Sequence, residues 1–194
     1  QEISALAADT GGLGMGTTLT GIGFESERPN VVLVFNVGDS RVYRLRGSEL
    51  RQLTHDHLVV QELIDAGHIT AAEAGSHPDR NVVTRSLGEG GHLEIDWHQE
   101  HTRGGDRFLV CSDGLVKEVD EPTIVAVLLE STTADEAVQR LVRTAVEHGG
   151  RDNVTVAIVD VAPTDAPALD EDPDIDVDTN PRPPDRSDRD GLLI

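Results

Sequence analysis

The stretch over residues 108–115 most constrains how this chain can fold, because an apolar run there ends abruptly on a carboxylate. Residues 108–111 are four apolar residues in succession, a pattern typical of a strand that is covered on both faces. Ser112, Asp113 and Gly114 follow directly. At the end of a buried strand a polar group can reach a site without being buried unpaired. Asp113 is therefore the first candidate for chemistry, although a common strand-ending turn explains these eight residues by themselves.

Charge and cysteine content exclude several classes of function. The 194 residues carry a formal net charge of −20, which opposes binding to a nucleic-acid backbone. The single cysteine, Cys111, excludes an intrachain disulfide and a thiolate metal cluster. There is no signal-peptide pattern, and the apolar runs are shorter than the ~20 residues of a membrane helix. We expect a cytoplasmic protein with no membrane segment in these residues, while a longer parent chain could add one after Ile194.

Apolar patterning predicts a mostly antiparallel sheet in the first third of the chain. Strands are expected over residues 17–24 and 31–37, and a hairpin over residues 42–46 and 49–53 turns at Gly47. Such a meander favours antiparallel pairing. Later strands are expected over residues 81–87, 93–100, 107–112 and 153–161.

Capping and proline signals predict the helices. Residues 1–10 could close a helix, and the glycine-rich loop that follows lacks the Lys-Ser/Thr ending of a P-loop. Later helices are indicated by the following signals: Asp56 as a cap with Gly67 as the stop, Thr70 with Glu73, Pro122, and Thr133 with Glu136.

Composition divides the chain into a domain over residues 1–162 and an acidic, Pro-rich tail over residues 163–194, which we expect to be disordered. Aspartates alternate from Asp172 to Asp178, a spacing that hints at calcium. An EF-hand loop starting at Asp174 would need glycine and glutamate where Thr179 and Asp185 stand, so calcium binding is not favoured.

Three aspartates share one context: Asp39, Asp113 and Asp152 each lie at the end of an apolar strand. If those strand ends meet, the carboxylates repel one another by up to ~4 kcal/mol per pair, and convergence requires protonation or a cation. Ligation by oxygen alone selects Mg²⁺ or Mn²⁺. His55 and His57 make no zinc pair, so we interpret them as structural.

Six short motifs in order resemble the bacterial members of the metal-dependent serine/threonine protein phosphatases (type 2C). The motifs are Gly-Met-Gly-Thr-Thr at 14–18, Val-Gly-Asp-Ser-Arg at 37–41, Leu-Thr-His-Asp-His at 53–57, Val-Thr-Arg-Ser-Leu-Gly at 83–88, Cys-Ser-Asp-Gly-Leu at 111–115 and Gly-Arg-Asp-Asn-Val-Thr at 150–155. The resemblance implies an α+β fold, a β-sandwich of two antiparallel sheets flanked by helices. It also implies that a water activated by Mn²⁺ or Mg²⁺ attacks phosphoserine or phosphothreonine in proteins, the products of serine/threonine kinases in signal transduction.

The resemblance also assigns residues. Asp113 and Asp152 would bind the two core ions, and Asp39 would join Asp113 in holding a third. Residues 54–85 would form a helical flap beside the site, and His57, Arg85 and Asn153 would belong to the flap or substrate region.

One departure from the family pattern changes the expected activity. The family's phosphate-binding arginine segment and its Asp-Gly-x-Gly motif, with the aspartate that bridges both core metals, do not occur upstream of Gly14. We therefore expect a domain that is incomplete at its N-terminus and has little activity by itself. Two alternatives stay open: a non-catalytic phosphatase-like binding module, and an α+β domain whose aspartates merely cap strands.

Overall fold

The fold is seen in a computed structural model that describes residues 16–88 and 94–162. These described residues form seven strands: β1 Leu19–Glu25, β2 Arg28–Val37, β3 Arg41–Arg46, β4 Glu49–Gln52, β5 Asp96–His101, β6 Arg107–Cys111 and β7 Val156–Asp160. The same part of the chain forms five helices: α1 Val59–Asp65, α2 Ala71–Ala74, α3 Asp113–Val116, α4 Glu121–Glu130 and α5 Ala134–Glu147. The predicted helix over residues 1–10 and the predicted tail with its aspartate series lie outside the described residues.

The strands form two antiparallel sheets, as predicted. One sheet has three strands in the order β1-β2-β5, and the other has four in the order β4-β3-β6-β7. The β3-β4 hairpin turns at Gly47, whose φ of +60° lies in the left-handed region that glycine tolerates. Together with the helices, these sheets confirm the predicted α+β sandwich.

The interior between the two sheets is apolar. Val32 and Val34 of the three-stranded sheet pack with Val42 and Phe108 of the four-stranded sheet, and all four are buried. Side chains alternate along a strand, so the neighbours of these residues point to the other face of each sheet.

A second core lies between the four-stranded sheet and helices α3, α4 and α5. Tyr43 and Leu109 pack there with Leu115, Ile124 and Leu141. Strands β3 and β6 are therefore covered on both faces, which explains why residues 108–111 are apolar without alternation. Cys111 lies in this second core, where burial raises the pKa of its thiol to about 12 and makes it a poor nucleophile.

Two local predictions are wrong. Asp56 caps no helix: α1 begins after Leu58, without a side-chain cap, and Asp56 is buried against Arg41 instead. Residues 81–87 form no strand, and only isolated bridges at Val83 and Leu87 pair with other segments. In both cases long-range partners override a local signal.

Several local signals are confirmed. Thr70 and Glu73 form a reciprocal capping box on α2, and Gly67 follows α1 with a φ of +69°. Pro122 lies in the first turn of α4, and the Thr133 side chain caps α5. Within the described residues, no helix has the length and apolar character needed to cross a bilayer.

Candidate active site

Asp39 and Asp113 lie opposite each other at one end of the four-stranded sheet. In the antiparallel pairing of β3 with β6, Arg41 is opposite Cys111. Each aspartate is two residues beyond that pair, so both occupy the same end of the sheet. Asp39 is only 8% exposed. Burial, and then the charge of Asp113, raise the pKa of Asp39, so the carboxylates are close enough to repel each other.

Asp152 reaches the same end of the sheet from the loop before β7. The loop is joined to the end of β6 because the Ser112 hydroxyl donates to the Asn153 carbonyl and accepts from the Thr155 amide. Gly114 packs against this loop: a Cβ on Gly114 would lie 3.6 Å from the Cβ of Asp152. Asp152 therefore lies beside the short helix α3 that begins with Asp113.

Two ion pairs reinforce this arrangement. Arg151 donates to both oxygens of Glu118 at 2.9 and 3.0 Å, which ties the Asp152 loop to the turn after α3. The Lys117 ammonium contacts the Asp113 carboxylate. In the absence of a metal, Lys117 is the cation that partly offsets the negative charge of Asp113.

Asp56 is acidic and near the site, but its charge is already paired. Arg41 Nε lies 3.0 Å from both Asp56 oxygens, and Gln52 donates to one of them. Burial by itself would lower the pKa of Arg41, but the hydrogen bonds to Asp56 and Tyr43 and the charges of both residues together outweigh it, so the pKa is raised. The Arg41–Asp56 pair therefore holds the start of β3 in place and leaves the acid no free charge for a metal.

His57 and Arg85, which were assigned to the flap or substrate region, meet at Asp96. His57 Nε2 lies 2.9 Å from one Asp96 oxygen, and Arg85 donates to the other at 2.8 Å. Burial raises the pKa of Asp96, but these two partners outweigh it and the net shift is downward. Asn153 lies instead against Gly114, on the Asp152 side.

Asp96 was not among the predicted site residues, because its position at the start of β5 carries no motif. The signal that could have found it is its register: Asp96 pairs with Asn36 of β2, close to the Val-Gly-Asp-Ser-Arg turn. His55 makes an exposed pair with Asp65, and its structural interpretation stays a prediction.

The donor chemistry at Asp39, Asp113 and Asp152 fits a hard divalent cation. The carboxylates of Asp39 and Asp113 repel each other, and burial and this repulsion together raise the pKa of Asp39. The charge of a bound cation would offset both effects. Across residues 16–88 and 94–162, however, no three acidic, histidine or cysteine side chains are gathered closely enough to hold a metal ion. The structure thus brings the three aspartates to one end of the sheet without closing a coordination shell around them.

Comparison with known proteins gives clear sequence relatives. The serine/threonine protein phosphatase PstP of Mycobacterium tuberculosis is 45% identical over 152 residues, which is 78% of this chain and 29% of the relative. The protein phosphatase PhpP of Streptococcus pneumoniae is 36% identical over 166 residues, which is 86% of this chain and 66% of the relative. The chain thus spans less than two thirds of the length of these relatives. No protein-family model matches the chain.

Solved structures share the fold. The crystal structure of the M. tuberculosis phosphatase PstP superposes with a TM-score of 0.75 at 42% identity, covering 83% of this chain and 67% of that one. A structure of the PstP catalytic domain in complex with two manganese ions gives a TM-score of 0.72 at 41% identity, covering 83% of this chain and 66% of that one.

Proposed function

This chain belongs to the metal-dependent serine/threonine protein phosphatases, and we propose that it forms part of an enzyme that hydrolyses phosphoserine and phosphothreonine in proteins. One observation carries the proposal. The end of the four-stranded sheet presents Asp39 opposite Asp113, with Asp152 beside them, in a fold whose relative PstP was solved with two manganese ions.

We assign the binding of Mn²⁺ or Mg²⁺ to these three residues, Asp113 and Asp152 for the core ions and Asp39 with Asp113 for a third. When bound, such ions supply a water of lowered pKa and positive charge for the phosphoryl oxygens. The protein's own contribution is to hold its carboxylates in place. The hydrogen bonds of Ser112 to the Asp152 loop and the Glu118–Arg151 pair serve this purpose.

Phosphorylated proteins, the products of serine/threonine kinases, are the proposed partners. We place Arg85 on the substrate side, because its guanidinium is about two-fifths exposed and is held in place by Asp96. The cytoplasmic location and the domain boundary at residue 162 stay predictions.

We further propose that residues 1–194 alone turn over slowly. Their sequence contains no Asp-Gly-x-Gly upstream of Gly14, so the aspartate that bridges the core ions in the family is not supplied. Enzyme turnover numbers are typically ~1–1000 s⁻¹, and we expect this polypeptide to fall well below that range.

The alternative, a phosphatase-like module that binds a partner without catalysis, has one observation in its favour. The described residues gather no complete set of metal-binding side chains. The two functions differ in metal binding, because only the enzyme requires Mn²⁺ at Asp113.

The test combines calorimetric Mn²⁺ titration with phosphate release from a phosphothreonine peptide, on the wild-type chain and on Asp113→Asn. The proposal expects Mn²⁺ binding and slow, Mn²⁺-dependent release, both lost in Asp113→Asn. A folded wild-type chain that neither binds Mn²⁺ nor releases phosphate would overturn it in favour of the binding module. Turnover in the ordinary range would overturn only the proposal that residues 1–194 alone turn over slowly, and not the proposed phosphatase function.

A further inference from the structure

We propose that His57 is a positioning residue that fixes the turn carrying Asp39, and that Asp96 holds His57 in the tautomer this requires. The inference rests on the proposed function, since it gives Asp39 a metal to bind. His57 itself touches no reacting group: it is 3% exposed and lies beneath the turn.

Two hydrogen bonds join His57 to Gly38, the residue immediately before Asp39. The Gly38 amide donates to His57 Nδ1 at 3.0 Å, and the His57 amide donates to the Gly38 carbonyl at 3.0 Å. The same carbonyl accepts from the Asn36 side chain at 3.0 Å. Both polar groups of the Gly38 backbone are thereby held, which fixes the direction in which the chain enters Asp39.

The backbone conformation of the turn at Gly38 is tightly restricted. Gly38 has a φ of +112°, and a Cβ there would fall under 3.0 Å from the Thr18 side chain. Thr18 also shares a hydrogen bond with Ser40, on the far side of Asp39. The buried carboxylate of Asp39 is also repelled by Asp113, and the hydrogen bonds of the turn oppose that repulsion.

Asp96 determines which nitrogen of His57 carries the ring proton. Because Nδ1 accepts from the Gly38 amide, the ring proton must be on Nε2, where it donates to Asp96 at 2.9 Å. Arg85 donates to the second Asp96 oxygen at 2.8 Å and keeps that carboxylate oriented. This series of hydrogen bonds runs from Arg85 through Asp96 and His57 to Gly38, and it ends one residue from Asp39.

Replacing His57 by asparagine or by glutamine separates the two hydrogen bonds of the ring, to the Gly38 amide and to Asp96. The Oδ1 atom of asparagine occupies the position of Nδ1 and can accept from the Gly38 amide, whereas the amide of glutamine reaches the position of Nε2 and can donate to Asp96. The experiment compares His57→Asn with His57→Gln, adds Asp96→Ala, and uses His55→Asn as a matched surface control. It measures hydrogen exchange at the Gly38 amide without metal, and Mn²⁺ affinity by calorimetry.

We expect His57→Gln to speed exchange at Gly38 at least tenfold and to weaken Mn²⁺ binding by ~10–100-fold, the usual range for a residue that orients a ligand. His57→Asn should retain most of both properties, Asp96→Ala should lose part of each, and His55→Asn should match the wild type.

Two results would overturn the inference. Wild-type Mn²⁺ affinity in His57→Gln would show that the turn needs no clamp. Weakened binding in His57→Asn with Gly38 still protected would show that the clamp does not position Asp39. A wild-type chain without Mn²⁺ binding would instead remove the proposed function, and the Gly38 exchange rates would still show whether the clamp exists.

Discussion

Gly114 and Asn153 are packed so closely that no side chain fits between them: a Cβ on Gly114 would fall well under 3.0 Å from the Asn153 carbonyl oxygen. This contact brings the residue after Asp113 against the residue after Asp152. It joins the two segments that carry the proposed core ligands.

Gly114→Ala should therefore destabilise the fold and separate the two aspartates. We expect a loss of ~1–3 kcal/mol, typical of overpacking at a tight contact, and Mn²⁺ binding at least tenfold weaker. Urea unfolding and calorimetry measure these effects. Gly75→Ala is the control, because a Cβ there would meet only the Ala72 carbonyl at 3.9 Å. Equal stability of the two variants would contradict the packing argument.

Asp39→Asn should have opposite effects on stability and on metal binding. Burial and the charge of Asp113 raise the pKa of Asp39, so its ionised form disfavours the metal-free fold. Removing the charge should stabilise the metal-free chain by about 1 kcal/mol or less, and the gain should grow as the pH rises through the folded pKa. The stabilisation that Mn²⁺ adds should shrink. Thermal unfolding with and without Mn²⁺ tests this, and a destabilised metal-free variant would refute it.

Asp56→Ala should be among the most destabilising changes near the site, although Asp56 binds no metal in our proposal. It would leave the partly buried Arg41 guanidinium without its carboxylate partner, and such losses cost ~3–5 kcal/mol. Glu25→Ala is the control, because its pair with Arg28 is roughly half exposed and is worth ~1 kcal/mol or less. Chemical denaturation of both variants gives the comparison. A loss below ~1 kcal/mol for Asp56→Ala would mean that the pair contributes little.

Acid should weaken the fold partly through Asp106. Burial would raise the pKa of Asp106, but hydrogen bonds from Arg46 and from the Arg103 amide lower it below the ordinary value of 3.8. A lowered pKa stabilises the fold above about pH 4, and that contribution is lost as the pH falls through the folded pKa.

Asp106→Asn should therefore be less stable than the wild type at pH 7, by ~1–3 kcal/mol, and the difference should narrow toward pH 3. Urea midpoints at the two pH values measure this, with the exposed Asp79→Asn as control. If the stability difference between Asp106→Asn and the wild type is the same at pH 7 and pH 3, the charge of Asp106 is not its source.

Most local elements of this protein follow from its sequence, apart from the strand predicted over residues 81–87 and the helix cap predicted at Asp56. Residues 108–111 are apolar without alternation because β6 is covered by the other sheet on one face and by helices on the opposite face. The signals at Gly47, Thr70 and Pro122 produced the turn, the capping box and the helix start where expected. The ordered motifs also identified the family, because each is a short stretch that can be read without knowledge of its partners.

The pairings between distant segments were decided by the tertiary structure alone. Asp56 looked like a helix cap because aspartate often caps helices, yet it pairs with Arg41, fifteen residues away. His57 meets Asp96 across thirty-nine residues, and nothing in either local sequence marks the contact. Sequence patterns indicate which backbone conformation a residue prefers and on which face of a helix or strand it lies. The register of β2 with β5 and of β3 with β6 determines which charged groups then meet, because it places the ends of distant strands at one edge of the fold.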